Sequence, residues 1–228
     1  MSGEATAVIM CIYRRPHLLG RTLNDLKLQT NRPERIVLVN NNTELRDLVD
    51  RTIGQQAEVV HNQQNEGGWA RFVQARRLSA DGLDRVVFID DDMVLEPGFL
   101  AALSEDYRDD AVVGPYAFEF HPPFDDYWAR TRVPVGAEAH YVGTCGMIAP
   151  TRIFDHPGMD ECPMSFRMVE DLWLSAFCRD VLGMRLVRSR AALSAPEGND
   201  EHALWPRLIS TKSEMLRWLH DKHGFPRY

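Results

Sequence analysis

Arg85-Val86-Val87-Phe88-Ile89-Asp90-Asp91-Asp92 runs a β-branched, apolar segment directly into three consecutive carboxylates. A short apolar run bounded by polar residues reads as a buried strand. Three adjacent carboxylates repel one another and cost desolvation if buried, so they persist most readily where a cation holds them. Hard oxygen ligands suit Mg2+ or Mn2+. A divalent ion at the carboxyl end of an α/β strand usually serves a phosphate. The plainer alternative is a solvated acidic turn after a strand.

Upstream of this stretch, strand-like and helix-like segments alternate. Thr6 to Tyr13, Arg35 to Asn40 and Ala57 to His61 are strand candidates. Between them lie a helical pattern opened by Pro16, with Leu19, Leu23, Leu26 and Leu28, and a second from Leu45 to Ile53. Gly67-Gly68 open a longer helix to about Ala80. The order βαβαβαβ predicts a mostly parallel sheet with helices on both faces. Pro97 precedes a further helix, Gly98 to Tyr107. In the less regular second half, Ala111 to Phe120 and His140 to Ile148 read as strands and Glu170 to Leu182 as a helix ended by Gly183. Met184 to Val187 is a short strand, and Ser213 to His220 a final amphipathic helix.

At 228 residues, one domain with one sizeable core is the default. The regular alternation occupies residues 1–110 and the less regular half 111–228. A net charge of −7 argues against a general nucleic-acid or anionic-membrane binder. Only three of the 26 basic residues are lysines: Lys27, Lys212 and Lys222. No run reaches the length of a membrane span, and the start does not resemble a signal peptide. Cys11, Cys145, Cys162 and Cys178 form no C-x-x-C pair and read as free thiols of a reducing compartment. The expected location is cytoplasmic, with peripheral membrane attachment left open.

In a parallel sheet, ligands bind beyond the carboxyl ends of the strands. Four loops belong there. The first supplies Arg14 and Arg15. The second supplies Asn40, Asn41 and Asn42, whose amides can read a base edge. The third supplies Asn65 to Arg71, and the fourth the acids. Amides for a base, guanidinium for phosphate and acids for a metal together describe a nucleotide site. Singly, the Asn run also fits a plain turn, and Gly67-Gly68 a plain helix start. A second acidic pair, Glu170-Asp171, opens a helix beside Trp173. Capping explains such a pair, and so does a general base taking a proton from an acceptor hydroxyl.

From Thr6 to Arg188 the chain resembles the GT-A fold glycosyltransferases, most closely the inverting family 2 enzymes. The resemblance rests on an ordered set: Cys11-Ile12-Tyr13-Arg14-Arg15, Leu28-Gln29-Thr30, Val39-Asn40-Asn41-Asn42-Thr43, Asn65 to Arg71, Phe88 to Asp92, Gly143-Thr144-Cys145-Gly146-Met147 and Glu170-Asp171. It implies an α/β Rossmann-like, mostly parallel sheet flanked by helices, with a smaller mixed acceptor-side subsheet in the second half. It also implies a metal-dependent, inverting transfer of a sugar from a nucleotide-diphosphate donor, a UDP-sugar being expected, to an acceptor hydroxyl.

By that resemblance Asp90 to Asp92 hold the family's D-x-D signature. Asp92 is the direct ligand of Mn2+ or Mg2+, and Asp90 or Asp91 lies near the donor's ribose or sugar. Asn41 and Asn40 fall where the base is contacted, and Ile12 and Tyr13 flank it. Arg14 and Arg71 serve base or phosphate, and Gly146 lines the donor sugar. Asp171, with Glu170 beside it, is the catalytic base. His202 is the best-placed third metal ligand by order. The family usually carries an Asp at the base-reading position, where this chain has three Asn, and an amide pairs with uracil and with other bases. Trp69, Trp128, Trp173 and Trp205 are candidates for a sugar-stacking platform or for the core. The acceptor is unspecified, its site expected between Phe118 and Pro134 and between Ala195 and Pro206.

Two rivals use the same residues. Asp90-Asp91-Asp92-Met93-Val94 fits the D-x-D-x-[TV] pattern of haloacid-dehalogenase-type phosphatases, with Asp90 as nucleophile. That family, however, starts with its motif and follows it with a suitably placed Lys, and here three strand-helix units come first. The other rival is a GT-A domain that binds a nucleotide sugar without turnover.

Overall fold

The computed structural model describes residues 6–194 and 207–226. Twelve strands and six α-helices occur among them: β1 Thr6–Ile12, α1 Leu19–Lys27, β2 Arg35–Asn40, α2 Arg46–Ile53, β3 Glu58–His61, α3 Trp69–Ala80, β4 Arg85–Asp90, β5 Val94–Leu95 and α4 Phe99–Asp106. There follow β6 Ala111–Gly114, β7 Ala117–Phe120, β8 Arg130–Arg132, β9 Tyr141–Val142, β10 Met147–Pro150, α5 Glu170–Asp180, β11 Arg185–Arg188, β12 Leu193–Ser194 and α6 Ile209–His223.

Seven strands form the main sheet in the order β11-β6-β10-β4-β1-β2-β3. The pairs β4-β1, β1-β2 and β2-β3 are parallel, as the alternation of elements predicts. Only β10 runs against its neighbours. A separate antiparallel sheet, β8-β7-β9, forms the smaller unit of the second half.

Strand periodicity divides the core in two. Ala7, Ile9, Val86 and Phe88 face one layer, while Val8, Met10, Val87 and Ile89 face the other. The first layer is covered by α3, α5 and α6, whose Phe72, Leu172 and Leu216 are buried there. The second is covered by α1, α2 and α4 through Leu23, Val49 and Phe99. The middles of β1 and β4, Ala7 to Met10 and Val86 to Ile89, are apolar at every position because both faces are covered.

Two of the expected strands are broken. Ala111 to Phe120 divides at Pro115-Tyr116, so β6 stays in the main sheet and β7 enters the small one. Proline has no N–H to give a ladder, and the chain changes sheets there. His140 to Ile148 divides likewise into β9 and β10. The connecting loop ends at Gly146, whose φ of +91° is a glycine conformation and whose N–H donates to the Phe88 carbonyl at 2.8 Å. The last helix is longer than expected at both ends.

No helix among the described residues is long and apolar enough to cross a membrane.

Candidate active site

The acid triplet straddles the end of β4: Asp90 is its last residue, and Asp91 and Asp92 form the turn that follows. Asp90 continues the face of Phe88 and meets α3, where Arg71 Nη2 donates to its Oδ1 at 3.1 Å. Asp91 and Asp92 lie on the α1 side. Arg15 spans both, with Nη2 donating to Asp91 Oδ1 at 2.6 Å and Nη1 to Asp92 Oδ2 at 2.5 Å. From α1, Thr22 Oγ1 donates to the Asp91 carbonyl, and Arg21 Nη2 donates to that of Asp92, both at 3.0 Å. Gln29 fastens the following turn, donating to the Glu96 carbonyl and accepting from the Leu100 N–H. The first helix and its Leu28-Gln29-Thr30 end thus hold the acid loop in place.

Asp91 is 3% exposed, and burial pushes its carboxyl up to about 7 against the pull of Arg15. Burial, with Asp90 adding to it, raises Asp92 too. Asp92 Oδ1 is buried and has no hydrogen-bond partner among the described residues. A hard anionic oxygen held at such a point suits a divalent cation, so Asp92 fits the metal role. His202, the other expected ligand, lies outside the described residues. Among those described, no group of three or more His, Cys, Asp or Glu side chains is arranged to hold a metal.

On the other side of Asp90, Arg71 is 6% exposed and stands between two acids, with Glu170 Oε1 3.7 Å from its Nε. Its Nη1 is buried without a hydrogen-bond partner. Glu170 packs against the start of α3, and a methyl at Gly68 would overlap its carboxylate. Gly67, at φ +59°, is likewise closed over by the Met168 sulfur. The glycine pair is therefore explained by close approach of the Glu170 segment.

Asp171 has a different environment. Its Oδ2 accepts from the Tyr141 hydroxyl and from Lys212 Nζ at 2.9 Å, and its Oδ1 from the Leu172 N–H at 3.0 Å. Burial acts to raise the Asp171 pKa, but the Lys212 charge and the Tyr141 hydrogen bond outweigh it and hold the group below its ordinary value. Burial raises Glu170 to about 7 despite Arg71. Adjacent carboxylates with pKa values pushed apart are the signature of divided roles.

The three asparagines are heavily engaged. Asn41 Nδ2 donates to the Gly67 carbonyl at 2.9 Å, and its Oδ1 accepts from Asn62 Nδ2 at 2.8 Å. Asn40 Nδ2 donates to His61 Nδ1 at 3.0 Å, and Asn42 Nδ2 donates to the Tyr13 carbonyl at 2.9 Å. These amides tie together the loops after β1, β2 and β3. The Ile12 side chain is buried in the core beneath them. Tyr13 is partly buried, with the Arg14 guanidinium 5.0 Å from its ring centroid. Gly146 caps the end of β4 under Leu193 and Phe99. Trp69 and Trp173 are in the core, Trp128 is 45% exposed, and Trp205 lies outside the described residues.

Sequence reading did not single out Tyr141 or Lys212 for the site, and it placed Arg15 in the first loop as a guanidinium for phosphate, not as the partner of Asp91 and Asp92. Lys212 carries a usable signal, because it shares a helical stripe with Met215, Leu216 and Leu219, all buried. A lysine on an apolar stripe needs a partner, and here it is Asp171. That position is not the one a phosphatase lysine would need beside Asp90.

The sequence model of glycosyl transferase family 2 matches residues 7–166. The chain belongs to this family. The crystal structure of GalNAc-T7 with UDP, GalNAc and Mn2+ superposes with a TM-score of 0.67 at 14% identity, over 89% of this chain and 46% of that one. This chain therefore spans just under half of that protein. Glucosyl-3-phosphoglycerate synthase from Mycobacterium tuberculosis, in complex with Mn2+, UDP and glucosyl-3-phosphoglycerate, gives 0.59 at 14% identity, over 99% and 82%. Residues 1–349 of S. aureus TarS in complex with UDP-GlcNAc give 0.58 at 19% identity, over 87% and 60%. These likenesses show that the fold is GT-A. No curated protein matches the sequence.

Proposed function

We propose that this family 2 domain transfers a sugar from a nucleoside-diphosphate donor, a UDP-sugar first among them, to an acceptor hydroxyl, with inversion at the anomeric carbon. The observation that carries the reading is a pair of buried polar atoms without partners on either side of Asp90: Arg71 Nη1 and Asp92 Oδ1. Buried polar atoms normally have partners, and leaving them without costs free energy. A cation and a phosphate bound together would satisfy both.

In this reading the strand ends receive the donor. Arg71, and Arg14 from the first loop, neutralise the diphosphate. Asp90 or Asp91 meets the ribose or sugar, Tyr13 lies along the base, and the loop ending at Gly146 borders the donor sugar. The asparagine-braced loops hold the base site, with Asn40 and Asn41 fixing its floor from within. Asp92 holds Mn2+ or Mg2+, with His202 as the expected further ligand. The metal supplies Lewis-acid stabilisation of the departing diphosphate. Mn2+ is present in the GalNAc-T7 and glucosyl-3-phosphoglycerate synthase structures, which supports a divalent ion here.

Asp171 is the general base. It is ionised at neutral pH, and its Oδ1 has one lone pair beyond that used by Leu172 N–H to receive the acceptor's proton. One base acting in one displacement inverts the anomeric configuration. Glu170 balances Arg71 and sets the position of Asp171 from the preceding residue. Residues 1–110 form the donor half and 111–228 the acceptor half of a single catalytic domain.

Calorimetry with UDP in the presence of Mn2+, followed by UDP-sugar hydrolysis assays, tests the reading. UDP should bind, Asp171→Asn should keep that binding and lose transfer, and NMR of the product should show inversion. Failure of every nucleoside diphosphate to bind would sink it.

A further inference from the structure

Arg130, on β8, is held by its faces and not by its edges. Its guanidinium carbon lies 3.8 Å from the ring centroid of Tyr127, 4.1 Å from Phe118, 4.7 Å from Trp128 and 5.7 Å from Tyr141. Such rings attract a cation through their quadrupoles and leave its N–H edge directed elsewhere. No guanidinium N–H of Arg130 donates to an acceptor among the described residues, and Nη1 is buried without a partner. Neighbouring arginines use their edges within the protein. Arg132 donates to the Pro115 carbonyl, and Arg188 to that of Val133.

Two rings of this cage also build the surroundings of Asp171. Tyr141 donates to the Asp171 carboxylate, and Tyr127 Oη accepts from Lys212 Nζ at 3.3 Å. Arg130 is thus one aromatic ring away from the proposed base, beside the exposed Trp128. A guanidinium fixed in direction with its donor fork unspent is preorganised for a carboxylate or phosphate. The neighbouring cation, Lys212, has its Nζ 4.7 Å from the Tyr127 ring centroid and is already paired with Asp171.

We propose that Arg130 recognises an anionic group, phosphate or carboxylate, on the acceptor, so that the acceptor class is an acidic sugar or polyol and not a neutral one. The assignment to the acceptor rests on the glycosyl-transfer reading, whereas the binding of an anion at Arg130 does not.

The test uses the whole chain with Mn2+ and saturating UDP, so that the donor-side cations are already engaged. Calorimetry compares glycerol 3-phosphate with glycerol, and glucose 6-phosphate and glucuronate with glucose. Anionic probes should bind at least tenfold more tightly than their neutral partners. The phosphate and carboxylate arms then identify which anion is preferred. Arg130→Met, which keeps a long side chain between the rings, should abolish the difference. Arg130→Lys keeps the charge without the fork and should retain only part of it, which leaves the proposal testable if the Met variant does not fold. Equal binding of charged and neutral probes by the unaltered protein, or a preference that survives in Arg130→Met, would overturn the proposal and make Arg130 a packing pillar. Donor hydrolysis by the unaltered protein is measured separately. Its absence would count against glycosyl transfer while leaving the calorimetric result at Arg130 readable.

Discussion

Lys212 Nζ lies 2.9 Å from Asp171 Oδ2, although the two residues are 41 positions apart and belong to different helices. Tyr141 donates to the same oxygen, and Glu170, Arg71, Cys145 and Tyr127 complete the charged and titratable surroundings. The ammonium stabilises the ionised form of the buried Asp171 carboxylate. Lys212→Met should therefore raise the Asp171 pKa by about 1–3 units. The acid limb of kcat/KM should move to higher pH, with activity falling more at pH 6 than at pH 8. Lys212→Arg should keep the limb near its original place. The Met variant should also lose about 3 kcal/mol of stability, since it leaves a buried charge alone. An unmoved acid limb would reduce Lys212 to a structural pair.

Gly68 has an ordinary backbone conformation, φ −67°, so only the Glu170 carboxylate forbids a side chain there. Gly68→Ala should destabilise the fold by about 1–3 kcal/mol, the usual cost of overpacking. In a Glu170→Ala background the same substitution should cost much less. Denaturant melts of the four proteins measure this coupling, and additive effects would mean that the close approach is unimportant.

Asp92 and Asp91 should respond differently. Asp92→Asn weakens the proposed cation grip, so UDP binding should lose most of its dependence on added Mn2+, a change readable by calorimetry with and without chelator. Asp91 is deeper, 3% exposed and paired with Arg15. Asp91→Asn should act first on the melting temperature. Mn2+-dependent UDP binding that survives in Asp92→Asn would assign the cation elsewhere.

His140 is buried, its Nδ1 accepting the Phe120 N–H at 3.1 Å. Burial, helped by the Arg179 charge, lowers its pKa to about 4, against an ordinary value of 6.5. Between those values the unfolded chain takes up a proton that the folded one refuses. This contribution to stability is complete above pH 6.5 and falls as the pH drops toward 4, by about 2–3 kcal/mol in total. His140→Gln should flatten that part of the stability profile. Urea titrations at pH 7.5 and 5 measure the change.

Much of the first half of the chain was legible because its signals are local. Apolar runs such as Val86 to Ile89 are strands whatever lies around them, and the order of loops after successive strands followed from parallel topology. The second half was harder to read, because β6-β7 and β9-β10 each pass from one sheet to another. Pro115 and Gly146 marked both passages, but an apolar run does not say which sheet its two ends will join.

By itself, the sequence determined the parallel architecture, the loops beyond its strand ends and the acid triplet among them. Tertiary structure alone decided the partners of those acids. The face of β4 sent Asp90 to Arg71, the turn after it gave Asp91 and Asp92 to Arg15, and the return of α6 brought Lys212 onto Asp171. The pKa of a buried carboxylate depends on which charges reach it through the folded interior, and sequence distance carries no measure of that.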